Sequence, residues 1–80
     1  MKERMRMADA EKLVGFPIVL FRNQQKQAAK VLKVDMTEMK IQYELLTNPD
    51  KGKRFVSRFD PNATVDRYDK ESEILALLEA

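Results

Sequence analysis

A regular alternation of apolar and polar residues over 39–45 constrains the fold of this chain more than any other feature. The apolar positions are Met39, Ile41, Tyr43 and Leu45. A period of two is typical of a strand that has one buried face and one face in water. The segment 47–52 then holds a proline and a glycine, as tight turns do, and the segment 53–59 alternates again. We therefore predict a β-hairpin over 39–59.

An isolated hairpin is only marginally stable in water, so the flanking segments must complete a core. The chain has 80 residues, of which 44% are hydrophobic and 35% are charged. This balance is typical of a folded domain rather than a disordered chain, and we predict a single domain over 1–80. No apolar run approaches the roughly 20 residues of a membrane-spanning helix. We therefore expect no membrane contact. The sequence also has no cysteine, so it can form no disulfide, and we expect a cytoplasmic protein.

The first part of the chain predicts three short elements. Residues 1–7 are mostly polar and basic, and we expect them to form a frayed tail. Residues 8–14 favour a short helix. The side chains expected to face inward from it are Ala10, Leu13 and Val14. The apolar run 16–21 predicts a strand.

The segment 24–34 has two interpretations. Its start is rich in glutamine and alanine, which favour a helix, whereas its end is rich in valine and leucine and favours a strand. We predict a strand, with a helix as the alternative. Residues 64–68 predict a last strand, and 69–79 predict a helix capped by Asp69. The apolar stripe of that helix comprises Ile74, Leu75, Leu77 and Leu78.

The predicted order, a helix, five short strands and a second helix, resembles that of the SH3-like small β-barrels. Within them, the stretch 16–41 is similar to the Sm-like RNA-binding group. It holds an apolar strand, a polar turn at Asn23 and Gln24, and a strand that ends at the acidic Asp35 shortly before an apolar third strand. Two glycines that the family carries in this stretch are absent here.

The resemblance implies a mainly β (α+β) fold. We expect a small, bent, antiparallel five-stranded SH3-like barrel with a short N-terminal helix and a C-terminal helix. RNA binding and a homo-oligomer formed by strand pairing between subunits are further expectations of the resemblance.

The sequence offers little for catalysis. It has no histidine and no cysteine, so acid–base chemistry near neutral pH and thiol nucleophiles lack their usual groups. We predict neither an enzyme nor a cofactor. Oxygen-bearing side chains between Asp60 and Glu71 imitate the spacing of a calcium-binding loop, but Val65 stands where that loop needs glycine. We therefore predict no metal site.

Basic residues concentrate in the first part of the chain. Residues 1–58 carry 13 Lys and Arg against 7 Asp and Glu, whereas 59–80 carry 2 against 6. This asymmetry favours an anionic partner, and we predict nucleic-acid binding, RNA above all, through the hairpin. The residues assigned to this site are Lys40, Tyr43, Lys51, Lys53, Arg54 and Arg58. Lys30 and Lys33 join them if 24–34 is a strand. The alternative is a solvated hairpin tip whose lysines prevent edge-to-edge aggregation.

The second functional class is a protein–protein interaction module. A small regulator, inhibitor or assembly subunit, of the kind that phages and plasmids also encode, would use a sheet edge and the last helix. Its contact residues would be Ile74, Leu77 and Leu78. The alternative is that this apolar stripe covers the core of the chain itself.

Overall fold

One antiparallel sheet of six strands dominates the computed structural model, which describes residues 2–22 and 24–79. The strands are β1 (Lys2–Arg6), β2 (Pro17–Arg22), β3 (Gln25–Asp35), β4 (Lys40–Leu45), β5 (Arg54–Arg58) and β6 (Thr64–Tyr68). A 3₁₀ helix spans Met7–Leu13, and an α-helix, α1, spans Glu71–Glu79. The strand order is β1-β6-β2-β3-β4-β5. Among the described residues, no helix has the length and apolar character needed to span a bilayer.

The predicted hairpin over 39–59 is confirmed as β4 and β5. Ile41, Tyr43 and Leu45 are buried, and the residues between them are partly exposed. β5 returns antiparallel, with Tyr43 opposite Phe55. The alternation of the sequence therefore identified both the strand and its buried face.

The ambiguous segment 24–34 is a strand, so the helix alternative does not hold. Apart from Gln24, it lies within β3, which pairs with β2 along its first half and with β4 along its second half. The register shifts between Val31 and Lys33, which leaves Leu32 as the extra residue of a bulge. A bulge bends its strand, and here it lies where β3 exchanges one partner for the other.

The expected frayed tail and five-stranded barrel need correction. Residues Lys2–Arg6 form β1, which pairs with β6 over its whole length and adds a sixth strand. Met5 anchors β1 in the core, and the carboxylate of Glu3 lies 2.7 Å from the guanidinium of Arg67. β1 and β5 end the strand order, and no pairing joins them within the described part of the chain, so the sheet is not closed.

The predicted first helix is a 3₁₀ segment with a kink at Asp9, whose φ and ψ are not helical. Its buried residues are Met7, Ala10 and Leu13, whose spacing of three matches three residues per turn. Val14 lies outside that spacing and is 44% exposed, so its predicted inward position is wrong. Gly15 follows with φ +87°, a conformation that glycine adopts readily.

The sheet packs on both faces. Its inner face carries the main core, which includes Leu13, Ile18 and Leu45. Part of its outer face, at Ala28 and Tyr68, is covered by α1. The apolar stripe of α1 thus covers the core of the chain itself.

One member of the predicted stripe departs from this packing. Ile74 is fully buried, and Leu75 and Leu78 are partly buried against the sheet, but Leu77 is 58% exposed. At 100° per residue, Leu77 lies to the side of the face that the other three share. Of the three contact residues assigned to a protein partner, Ile74 is therefore inaccessible, Leu78 is partly covered and Leu77 is open.

Candidate nucleic-acid interface

The outward side chains of β3, β4 and β5 form a basic face. Because Ile41, Tyr43 and Leu45 point inward, the alternate residues of β4 point to the opposite side. Strand pairing aligns these with outward residues of β3 and β5 in three rows. The rows are Lys30, Glu44 and Arg54; Lys33, Gln42 and Val56; and Asp35, Lys40 and Arg58. These nine residues are called the outer basic face below.

Each row of the outer basic face carries one more positive than negative charge. The face holds five cations and two carboxylates, and both carboxylates have local partners. Glu44 Oε1 lies 3.2 Å from Arg54 Nε. Asp35 Oδ1 accepts the backbone N–H of Thr37 at 2.9 Å. The carboxylates are thus used within the sheet and its turn, which leaves positive charge in excess.

The excess charge resides on three cations. Lys40 is not among them, because its Nζ lies 3.1 Å from the carboxylate of Glu38 in the turn before β4. Lys30, Lys33 and Arg58 have no ion pair with any residue that the structure describes. They lie in three different rows, so the positive charge extends across the whole face.

The hairpin tip differs from the outer basic face. Lys51 is exposed there, but Lys53 Nζ lies 3.2 Å from Asp50 Oδ1. Arg22 Nη1 lies 3.3 Å from Asp50 Oδ2. The hydrogen bond from Lys53 is the largest influence on this carboxyl, and with Arg22 it holds the pKa of Asp50 below its usual range. The charge of Lys53 is therefore partly balanced, although the sequence placed it in the binding site.

Tyr43 does not belong to an accessible site. Its side chain is only 6% exposed, because it lies on the inward face of β4. Its ring stacks on that of Phe55, with centroids 6.0 Å apart and an interplanar angle of 28°. The sequence placed Tyr43 in the binding site, whereas the structure places its ring in the core. The outer basic face itself holds no aromatic side chain.

The structure brings the remaining site residues into two groups. Lys40, Arg54 and Arg58 lie on the outer basic face, whereas Lys51 and Lys53 lie at the hairpin tip. Because 24–34 is a strand, Lys30 and Lys33 join the first group on β3. Their side of the sheet follows from the pairing with β4.

Sequence reasoning missed two arginines on the inner side of the sheet. The guanidinium carbon of Arg22 lies 4.1 Å from the ring centroid of Phe55, and that of Arg67 lies 4.4 Å from the ring centroid of Phe16. Arg22 also reaches Asp50, on the turn between β4 and β5. No local spacing signals these contacts, since each joins residues more than 25 positions apart.

The described residues contain no group of three or more His, Cys, Asp or Glu side chains able to hold a metal ion. No protein-family model, curated protein or solved structure matches this chain. The resemblance of the sequence to the SH3-like and Sm-like proteins therefore stays a prediction. What the chain binds has to be inferred from its own surface.

Proposed function

We propose that this chain is a non-catalytic module that binds nucleic acid, RNA in the first instance, through the outer basic face. The observation that carries the proposal is the arrangement of three adjacent rows, each with an excess positive charge. Lysine and arginine neutralise backbone phosphates and release the counterions condensed on them. The predicted cytoplasmic location belongs to the same proposal.

The composition of the face indicates how such binding would work. Specific recognition of single-stranded RNA commonly relies on aromatic rings that stack on bases. The outer basic face lacks such rings, since Tyr43 is buried. Contacts to phosphates position a nucleic acid but do not read its sequence. We therefore infer binding that depends little on sequence and strongly on salt.

The test compares cations on the face with a cation elsewhere. Lys33→Ala and Arg58→Ala each remove a cation that has no ion pair to a described residue, and Lys12→Ala removes an exposed cation from the 3₁₀ helix. Fluorescence anisotropy of a labelled single-stranded RNA at several salt concentrations gives the dependence of log K on log salt. Each variant on the face should reduce the slope by roughly 0.7–0.9, and Lys12→Ala should leave it unchanged.

Two results would reject the proposal. The first is the absence of saturable RNA binding by the wild type at low salt, where phosphate contacts are strongest. The second is an equal loss of slope for Lys12→Ala, which would show that only net charge matters and that the face is not a site.

A further inference from the structure

Within residues 2–22 and 24–79, one edge of β5 has no neighbouring strand, and its backbone groups are oriented for pairing. Leu45 N–H donates to Lys53 O, and Phe59 N–H donates to Met39 O, each at 2.9 Å. In an antiparallel pair, hydrogen-bonded and non-hydrogen-bonded residues alternate. Odd-numbered residues from 53 to 59 therefore direct their backbone groups toward β4. Arg54, Val56 and Arg58 direct theirs away from it, toward the unpaired edge.

An apolar groove lies beside this edge. It has a volume of about 360 Å³ and runs between the last part of β5 and β2. Apolar residues from the inner face of the sheet line it, including Ile18, Leu20, Ile41, Phe59 and Val65. Val56, on the edge itself, is 61% exposed. Beside this groove, β2 pairs with β6 only at Ile18.

The charges at the edges of the sheet select against a second copy of the chain. The β5 edge carries Arg54 and Arg58. The other end of the sheet, β1, points Lys2, Arg4 and Arg6 to the same outer side. When the β5 or β1 edge of one copy pairs antiparallel along its full length with the β5 or β1 edge of another, cations lie opposite cations, which destabilises a strand pair.

Cations on edge strands also have a protective use, since they discourage aggregation. Protection alone explains Arg54 and Arg58. It does not explain the exposed Val56 between them or the apolar groove beside it. Positive charge on the outer side, apolar surface on the inner side and free backbone groups together describe a site for one kind of strand.

We propose that the β5 edge takes up an extended acidic segment of another protein as a seventh strand. Strand addition supplies affinity through main-chain hydrogen bonds, here with Arg54, Val56 and Arg58, and specificity through alternate side chains. The outward side chains of the added segment are carboxylates beside Arg54 and Arg58. Its inward side chains are apolar and enter the groove. The partner is thus recognised by alternating acidic and β-branched apolar residues.

The test uses a labelled peptide that alternates glutamate with valine, and the variant Val56→Pro. Proline removes the N–H that points to the free edge, leaves the hydrogen bonds to β4 in place and changes no charge. We expect Val56→Pro to bind the peptide about tenfold more weakly than the wild type does. The peptide titrations contain no RNA, so their outcome does not depend on the proposed function.

Control peptides make the test independent of how well the variant folds. Two control peptides have the same sequence but carry methyl groups on every second backbone nitrogen, one on the odd positions and the other on the even positions. Both keep all charges. The peptide whose methylated nitrogens face β5 cannot complete the hydrogen-bond ladder, so it should bind the wild type about tenfold more weakly. Equal binding of all three peptides, or binding of none, would overturn the inference. A dimer detected by sedimentation would also overturn the inference if hydrogen exchange showed that the amides of Val56 and Arg58 are protected in it. The β5 edge would then be paired with a second copy of the chain.

Discussion

At the scale of single residues, two arginines join parts of the chain that are distant in sequence. Arg22 lies on the ring of Phe55 and reaches Asp50. Arg67 lies on the ring of Phe16 and reaches Glu3 at 2.7 Å. A planar guanidinium can stack on a ring and donate to a carboxylate at the same time, which an ammonium group does less well. These contacts stabilise a sheet that strand pairing leaves open.

Asp50 makes the stability of the fold depend on pH. The partners Lys53 and Arg22 favour its carboxylate in the folded state, so its pKa lies below the usual 3.8. Unfolding removes both partners and returns the pKa to its usual value. The stability that the carboxylate contributes is therefore fully present above pH 3.8 and is lost as pH falls through the lower, folded pKa.

We predict that Asp50→Asn removes this part of the acid sensitivity. Urea unfolding at about pH 6 should show the variant to be less stable than the wild type, and the gap should narrow at about pH 2–3. Asp9→Asn, on the 3₁₀ helix, serves as the control because Asp9 has no ion pair with a described residue. A gap that is the same at both pH values would contradict the role given to Asp50.

At the scale of elements, α1 stabilises the sheet through one side only. Ile74 is fully buried against it, whereas Leu77 is mostly exposed. We predict that Ile74→Ala lowers the free energy of unfolding by about 2–4 kcal/mol. Leu77→Ala, a similar truncation on the same helix, should change it by less than about 0.5 kcal/mol. Chemical denaturation measures both, and equal losses would show that the packing face of α1 is misassigned.

Elements differ in how well the sequence predicts them, for physical reasons. The β4–β5 hairpin was predictable because alternation reports directly which strand face is buried. β1 was not, because among Lys2–Arg6 only Met5 is apolar, and its other support is remote, through β6. The sequence placed Leu77 in the same apolar stripe as Ile74. A stripe of leucines indicates an apolar helix face but does not show which of its positions the sheet covers. The candidate site, likewise, has some residues that the sequence could place and others that it could not.

Lys40, Arg54 and Arg58 follow from their positions on the hairpin, and strand parity fixes their common side. The inward position of Tyr43 also follows from that parity, although Tyr43 was assigned to the binding site. The sequence could not predict that Asp50 partly balances the charge of Lys53, because this ion pair depends on how the turn closes and on Arg22 from another strand. Tertiary contacts thus decided which cations stay available.

At the scale of the whole molecule, charge is distributed by face rather than evenly. The net charge is only +2, yet the outer basic face carries an excess of cations in every row. Both ends of the open sheet also carry cations on their outer side. A surface of this kind attracts anions locally even when the net charge of the chain is small.

The most direct test of the central claim is a map of where RNA binds. Amide chemical shifts of the ¹⁵N-labelled protein, followed during titration with a short single-stranded RNA at low salt, report this residue by residue. We predict that the largest changes fall on the outer basic face, at Lys30, Lys33 and Arg58 and at their neighbours Gln42 and Lys40, and that they disappear as salt is raised. Changes confined to α1 and the 3₁₀ helix, or no changes at all, would contradict it.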